Sequence, residues 1–113
     1  MINHIVYRKL IEVAKARTTI QFVEVARIAD MPLDAEGDVA AIGRVLDEIA
    51  EQDVAAGRPL LPVLVVHGTR NMPGAGLFRF ARKMKLQKTN DLTFFATEMN
   101  RVYAYWAKVE PPA

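Results

Sequence analysis

Hydrophobic positions along the chain fall into helical stripes separated by one short apolar run. Ile2, Ile5, Val6, Leu10 and Val13 recur at three- and four-residue intervals, which predicts an amphipathic helix over residues 2–16. Arg17-Thr18-Thr19-Ile20 is short and β-favouring, enough for one strand-like pairing. Phe22, Val25, Ala26 and Ala29 mark a short second helix, stopped at Pro32 because the residue before a proline avoids the helical region. Val39, Ile42, Val45, Leu46 and Ile49 make the most regular stripe and predict a third helix over about 39–56. Asp38 is its expected N-cap, and Gly57 stands where a left-handed cap belongs. Gly43 interrupts the stripe at a cost of about 1 kcal/mol against alanine, which close approach of another backbone would explain.

The second half carries a different pattern. Leu60 to Val66 is short, rich in Val and Leu, and contains Pro62, so it reads as a strand whose early part is an edge. "HGTRNMPGAG" supplies turn chemistry through Gly68, Pro73, Gly74 and Gly76, after which Leu77 to Phe80 reads as a returning strand. "ARKMKLQK" follows as a basic connection. Leu92, Phe95, Met99, Val102, Tyr103 and Trp106 then predict a long C-terminal helix over about 91–108, capped by Asn90 or Asp91, with a fraying "VEPPA" tail. The order helix, strand, helix, helix, strand, turn, strand is that of a winged helix-turn-helix. The expectation is therefore an α+β winged-helix domain spanning residues 1–113, with the hairpin as wing and one helix appended.

Composition narrows the function classes. The 113 residues, 51% hydrophobic and 25% charged, suit one ordinary domain with a real core. No apolar run approaches the ~20 residues of a membrane helix, and the charged N-terminal stretch lacks a signal-peptide core. The absence of cysteine removes disulfides, thiolate nucleophiles and cysteine metal sites, and fits a cytoplasmic location. With His4 and His67 alone, a histidine metal site is not expected, nor is any cofactor.

The distribution of charge says more than the net value of +2. Nine acids against Arg27 and Arg44 give −7 from Glu24 to Asp53. From Val54 to Asn90 there are no acids and seven bases: Arg58, Arg70, Arg79, Arg82, Lys83, Lys85 and Lys88. Such asymmetry suggests that one face meets a polyanion, unless the two blocks neutralise each other.

The segments "TTIQFVEVARIADMP", "AAIGRVLDEI", "RPLLPVLVV" and "PGAGLF" resemble a winged-helix domain and, more faintly, the DNA-binding half of alkylguanine-DNA alkyltransferases. The similarity runs from Arg17 to Phe78, a little over half the chain. Ala40-Ala41-Ile42-Gly43-Arg44-Val45-Leu46 matches the family's recognition helix, with Ala40 where the helix-propping arginine belongs. The family's reactive Pro-Cys-His-Arg would fall near Pro59-Leu60-Leu61-Pro62, which holds neither sulfur nor imidazole. The resemblance therefore implies a DNA-binding fold without alkyl transfer, which needs a thiolate.

The expected function is non-enzymatic binding of nucleic acid, duplex DNA above all, with a protein-interaction module as the alternative. Arg58, Arg70, Arg79, Arg82, Lys83, Lys85 and Lys88 would contact phosphates around the wing, and Arg44 would read base edges. The outward face of the third helix weakens major-groove docking, because Asp47, Glu48, Glu51 and Asp53 share it. Phe94 and Tyr105 fall off the inward stripe of the last helix and are expected to mark an interface, with a second copy of the chain or with a larger partner. Asp34, Glu36 and Asp38 suggest a calcium loop, but Val45 stands where its closing glutamate belongs. The glycines of "GAGLFRF" lack the remainder of a nucleotide-binding motif, and His67 at a strand end reads as a surface or capping residue.

Overall fold

In a computed structural model that describes residues 2–31, 33–34 and 36–109, the amphipathic stripes become five α-helices around a central apolar segment. They are α1 (His4–Lys15), α2 (Phe22–Ile28), α3 (Asp38–Ala55), α4 (Ala75–Lys83) and α5 (Asp91–Ala107). Side-chain caps start two of them. The Asn3 carboxamide accepts from the Ile5 and Val6 amides at 3.1 Å, and Asn90 accepts from Thr93 at 2.8 Å. On α3 Asp38 is the first helical residue and the left-handed Gly37 precedes it as cap.

The first four helices end in a common way. Arg17, Asp30, Gly57 and Lys85 are left-handed, with φ of 55°, 60°, 72° and 59°. In each case the next amide donates back five residues, as in Arg58 to the Asp53 carbonyl at 2.8 Å and Leu86 to Ala81 at 2.8 Å. Only Gly57 adopts this conformation without a Cβ penalty.

Leu60 to Val66 is the centre of the molecule, and every residue of it is buried. It is mostly a 3-10 turn over Leu61–Leu64, with Pro62 in its first turn, and only Val65–Val66 (β2) is strand. β2 pairs with Ile20–Gln21 (β1) in parallel, Ile20 beside Val65 and Gln21 beside Val66. Helices α2 and α3 form the connection between the two strands, which is what a parallel pair requires. Two buried carboxylates clamp this segment. Asp53 of α3 accepts from the Leu61 amide at 2.8 Å, and Glu98 of α5 from the Leu60 amide at 2.8 Å. The unpaired donors at the start of the 3-10 turn are satisfied without water.

The winged helix-turn-helix is not what forms. No wing hairpin occurs among the described residues, and the segment expected to return as a strand, Leu77 to Phe80, belongs to α4. Leu77, Phe78, Phe80, Ala81 and Met84 are spaced for a helix, and Phe78 and Ala81 are buried one turn apart. Dividing the stretch after Phe80 hides that stripe, because half of it lies in the basic continuation. Within the turn, His67 and Met72 form an isolated antiparallel bridge, with the His67 amide donating to Met72 at 2.9 Å.

The inward face of α3 is also rotated from expectation. Ile42, Ile49, Ala50 and Asp53 are buried, whereas Val39 is 63% exposed. Gly43 meets no neighbouring backbone, since a Cβ there would touch nothing within 4 Å. Pro32 and the tail residues 110–113 lie outside the described residues.

Candidate functional site

The seven bases of the acid-free stretch do not share one environment. Arg58 belongs to the core: its Nε donates to Asp53 at 3.2 Å, its guanidinium lies 6.0 Å over the Tyr7 ring, and only 16% of its side chain is exposed. The expectation that it contacts phosphate is overturned, because the Asp53 carboxylate beneath the 58–61 backbone holds it. Burial pushes the Asp53 carboxyl up to about 6 despite the hydrogen bonds from Leu61 and Arg58. Arg82 pairs with Asp91 at 2.5 Å across the α4–α5 connection, and Gln87 donates to the same carboxylate oxygen at 2.6 Å.

Arg79 and Lys83 stand one turn apart on α4 and look across a groove at Asp47 and Glu51 of α3. Burial and the neighbouring Glu51 raise the Asp47 carboxyl above the ordinary range, while Arg79 and Lys83 oppose that rise. Arg44, Arg70, Lys85 and Lys88 are exposed and close no ion pair among the described residues. Lys85 and Lys88 sit just beyond the left-handed end of α4, and Arg70 lies in the 3-10 turn Gly68–Arg70 before its start. The predicted cations thus divide into two held by acids, two on a groove wall, and four left free.

The groove itself was not read from the sequence. One lobe of about 560 Å³ lies between the first half of α3 and the start of α4, with Gly43, Leu46, Val65, Leu77 and Phe80 among its apolar lining and Arg44 at its rim. A second lobe of about 800 Å³ continues along both helices to Val54, Ala55 and Met84. His67 stacks on Phe22 at the first lobe, with ring centroids 4.6 Å apart and planes 21° from parallel. Gly74 makes room for that imidazole, because a Cβ there would come 2.8 Å from its Nε2. A glycine inside an otherwise regular stripe, Gly43, was the one available signal. It marks an open wall rather than a tight contact.

The aromatic seam expected on α5 is half lost. Phe94 is 7% exposed and packs into the core, because α5 is buried on a face broad enough to include both Phe94 and Phe95. Tyr105 remains 36% exposed, with its ring edge-on to Trp106 at 5.0 Å. No group of three His, Cys, Asp or Glu residues able to hold a metal, and no helix long and apolar enough to cross a membrane, occurs among the described residues. Compared with protein-family models, curated proteins and solved structures, the chain matches none of them.

Proposed function

We propose that this chain is a non-enzymatic nucleic-acid-binding protein whose phosphate contacts come from Arg70, Lys85 and Lys88, with Arg44 of α3 as a fourth free cation. The carrying observation is that these four cations are exposed and without an acid partner among the described residues, three of them in a stretch that contains no acid at all. A solvated cation with no internal counter-charge is free to displace the ions condensed on a polyphosphate, and that release is what drives such binding. Arg70 precedes α4 and the two lysines follow it. The nine residues of α4, roughly 13 Å at ~1.5 Å per residue, therefore lie between them in the chain. Arg58 and Arg82 take no part, since each already has a carboxylate.

Fluorescence anisotropy with a labelled duplex tests the reading. Three or four neutralised phosphates at about 0.9 each give a slope of log affinity against log salt near −3. The variant Arg70→Ala/Lys85→Ala/Lys88→Ala should flatten that slope to between about −1 and 0. If neither duplex nor single-stranded DNA binds at low salt, the chain acts through proteins instead. The apolar groove between α3 and α4 favours that second reading.

A further inference from the structure

The α3/α4 groove has walls of opposite sign. On α3, Asp47 and Glu51 are spaced by one turn; on α4, Arg79 and Lys83 are spaced likewise. Neither pair closes an ion pair with the other among the described residues, although Asp47 feels both cations. Between the walls the floor is apolar, and it is flanked by two large apolar side chains left exposed: Val39 (63%) at the α3 start and Met84 (39%) at the α4 end. The lining runs along α3 from Val39 to Ala55, roughly 24 Å at ~1.5 Å per residue.

We infer that this groove is the seam of a homodimer, its occupant being the α3/α4 face of a second copy of the chain. The argument is self-complementarity. An isologous interface requires a patch that fits itself under a two-fold rotation. A two-fold axis lying along the groove sets α3 of one copy over α4 of its partner, so that carboxylates meet cations at both edges. The other in-plane axis, across the groove, sets like charge on like and is excluded by repulsion. Exposed Val39 and Met84 at the ends and the half-buried apolar floor between them then supply the dry centre of the seam. With α3 lining about 24 Å and the nine residues of α4 about 13 Å, each roughly 10 Å wide, the face presents on the order of 400 Å² per copy, in the range of weak, transient contacts, so a weak, micromolar dimer is expected.

This seam replaces the α5 seam, from which Phe94 is withdrawn; of the four free cations only Arg44 stands on its rim, and Arg70, Lys85 and Lys88 lie outside it. Sedimentation velocity without nucleic acid reads it directly. Wild-type protein should pass from monomer to dimer as concentration rises through the micromolar range. Asp47→Lys/Glu51→Lys makes both walls basic, and Arg79→Glu/Lys83→Glu makes both acidic, so each variant alone should remain monomeric. An equimolar mixture of the two should recover the dimer, since every wall then faces its opposite. Gly43→Trp offers a test without charge changes: a Cβ there meets nothing within 4 Å, so the side chain adds bulk on the groove wall and should abolish association. Circular dichroism confirms that each variant folds. Wild type that stays monomeric throughout, charge variants that dimerise as well as wild type, or a mixture that stays monomeric would each overturn the inference.

Discussion

Replacing Asp53 by Asn isolates the buried charge on which the central segment rests. The Asp53 side chain is fully buried, accepts from the Leu61 amide at 2.8 Å and from Arg58 at 3.2 Å, and has Glu98 as a neighbouring negative charge. Burial raises its carboxyl from the ordinary 3.8 to about 6. The folded state therefore binds the Asp53 proton more tightly than the unfolded chain does. Below the unfolded value of 3.8 both states are protonated, and the neutral acid contributes its full stability. As pH rises through about 6, the folded state must ionise a carboxyl inside the protein, and that contribution is lost. A change of about two tenfold steps in proton affinity, at ~1.4 kcal/mol each, puts the loss at roughly 3 kcal/mol. Urea unfolding followed by Trp106 fluorescence, from pH 3.5 to 8, measures it. The difference between wild type and Asp53→Asn should move against the wild type by about this amount between pH 4 and 7, then level off. A difference that is flat across this range, or that moves in favour of the wild type, would refute the burial argument.

Other perturbations separate core from surface. Phe94→Ala should cost about 3–5 kcal/mol in chemical denaturation, as a buried aromatic does, without changing the sedimentation of the protein. Arg82→Ala breaks an exposed pair with Asp91 and should cost no more than about 1 kcal/mol, an effect that high salt removes. Asp53→Ala, by contrast, leaves Arg58 and the Leu61 amide without their acceptor and should cost about 3–5 kcal/mol at pH 7. Gly74→Ala drives a methyl onto the His67 ring; the ring can swing outward, so the expected loss is about 1 kcal/mol, accompanied by loss of the Phe22 ring-current shift on the His67 proton resonances.

The first part of the fold was legible because its stripes are long and uninterrupted. The helices over 4–15, 38–55 and 91–107 agree with their apolar spacing to within two residues at each end. The Gly57 cap was readable because glycine alone adopts that conformation freely, whereas Arg17, Asp30 and Lys85 fill the same role with no compositional signal. The wing failed for a local reason. Four residues, Leu77 to Phe80, fit a strand as well as a helix, and the longer stripe to Met84 decides between them. Asp53 shows what one-dimensional patterning misses. Its side chain reads as solvent-facing, yet tertiary contacts turn it inward to take the Leu61 amide, a partner eight residues on. The basic block was visible as composition, but its division was not. Whether a cation is free depends on where Asp53, Asp91 and Asp47 come to lie, and only folding determines that.

The most direct test of the functional account compares salt slopes of duplex binding for wild type, Arg82→Ala and Arg70→Ala/Lys85→Ala/Lys88→Ala. If free cations carry the interaction, wild type and Arg82→Ala should both give about −3, and the triple variant a flattened slope between about −1 and 0. An unchanged slope in the triple variant, or no binding by wild type at low salt, would contradict it.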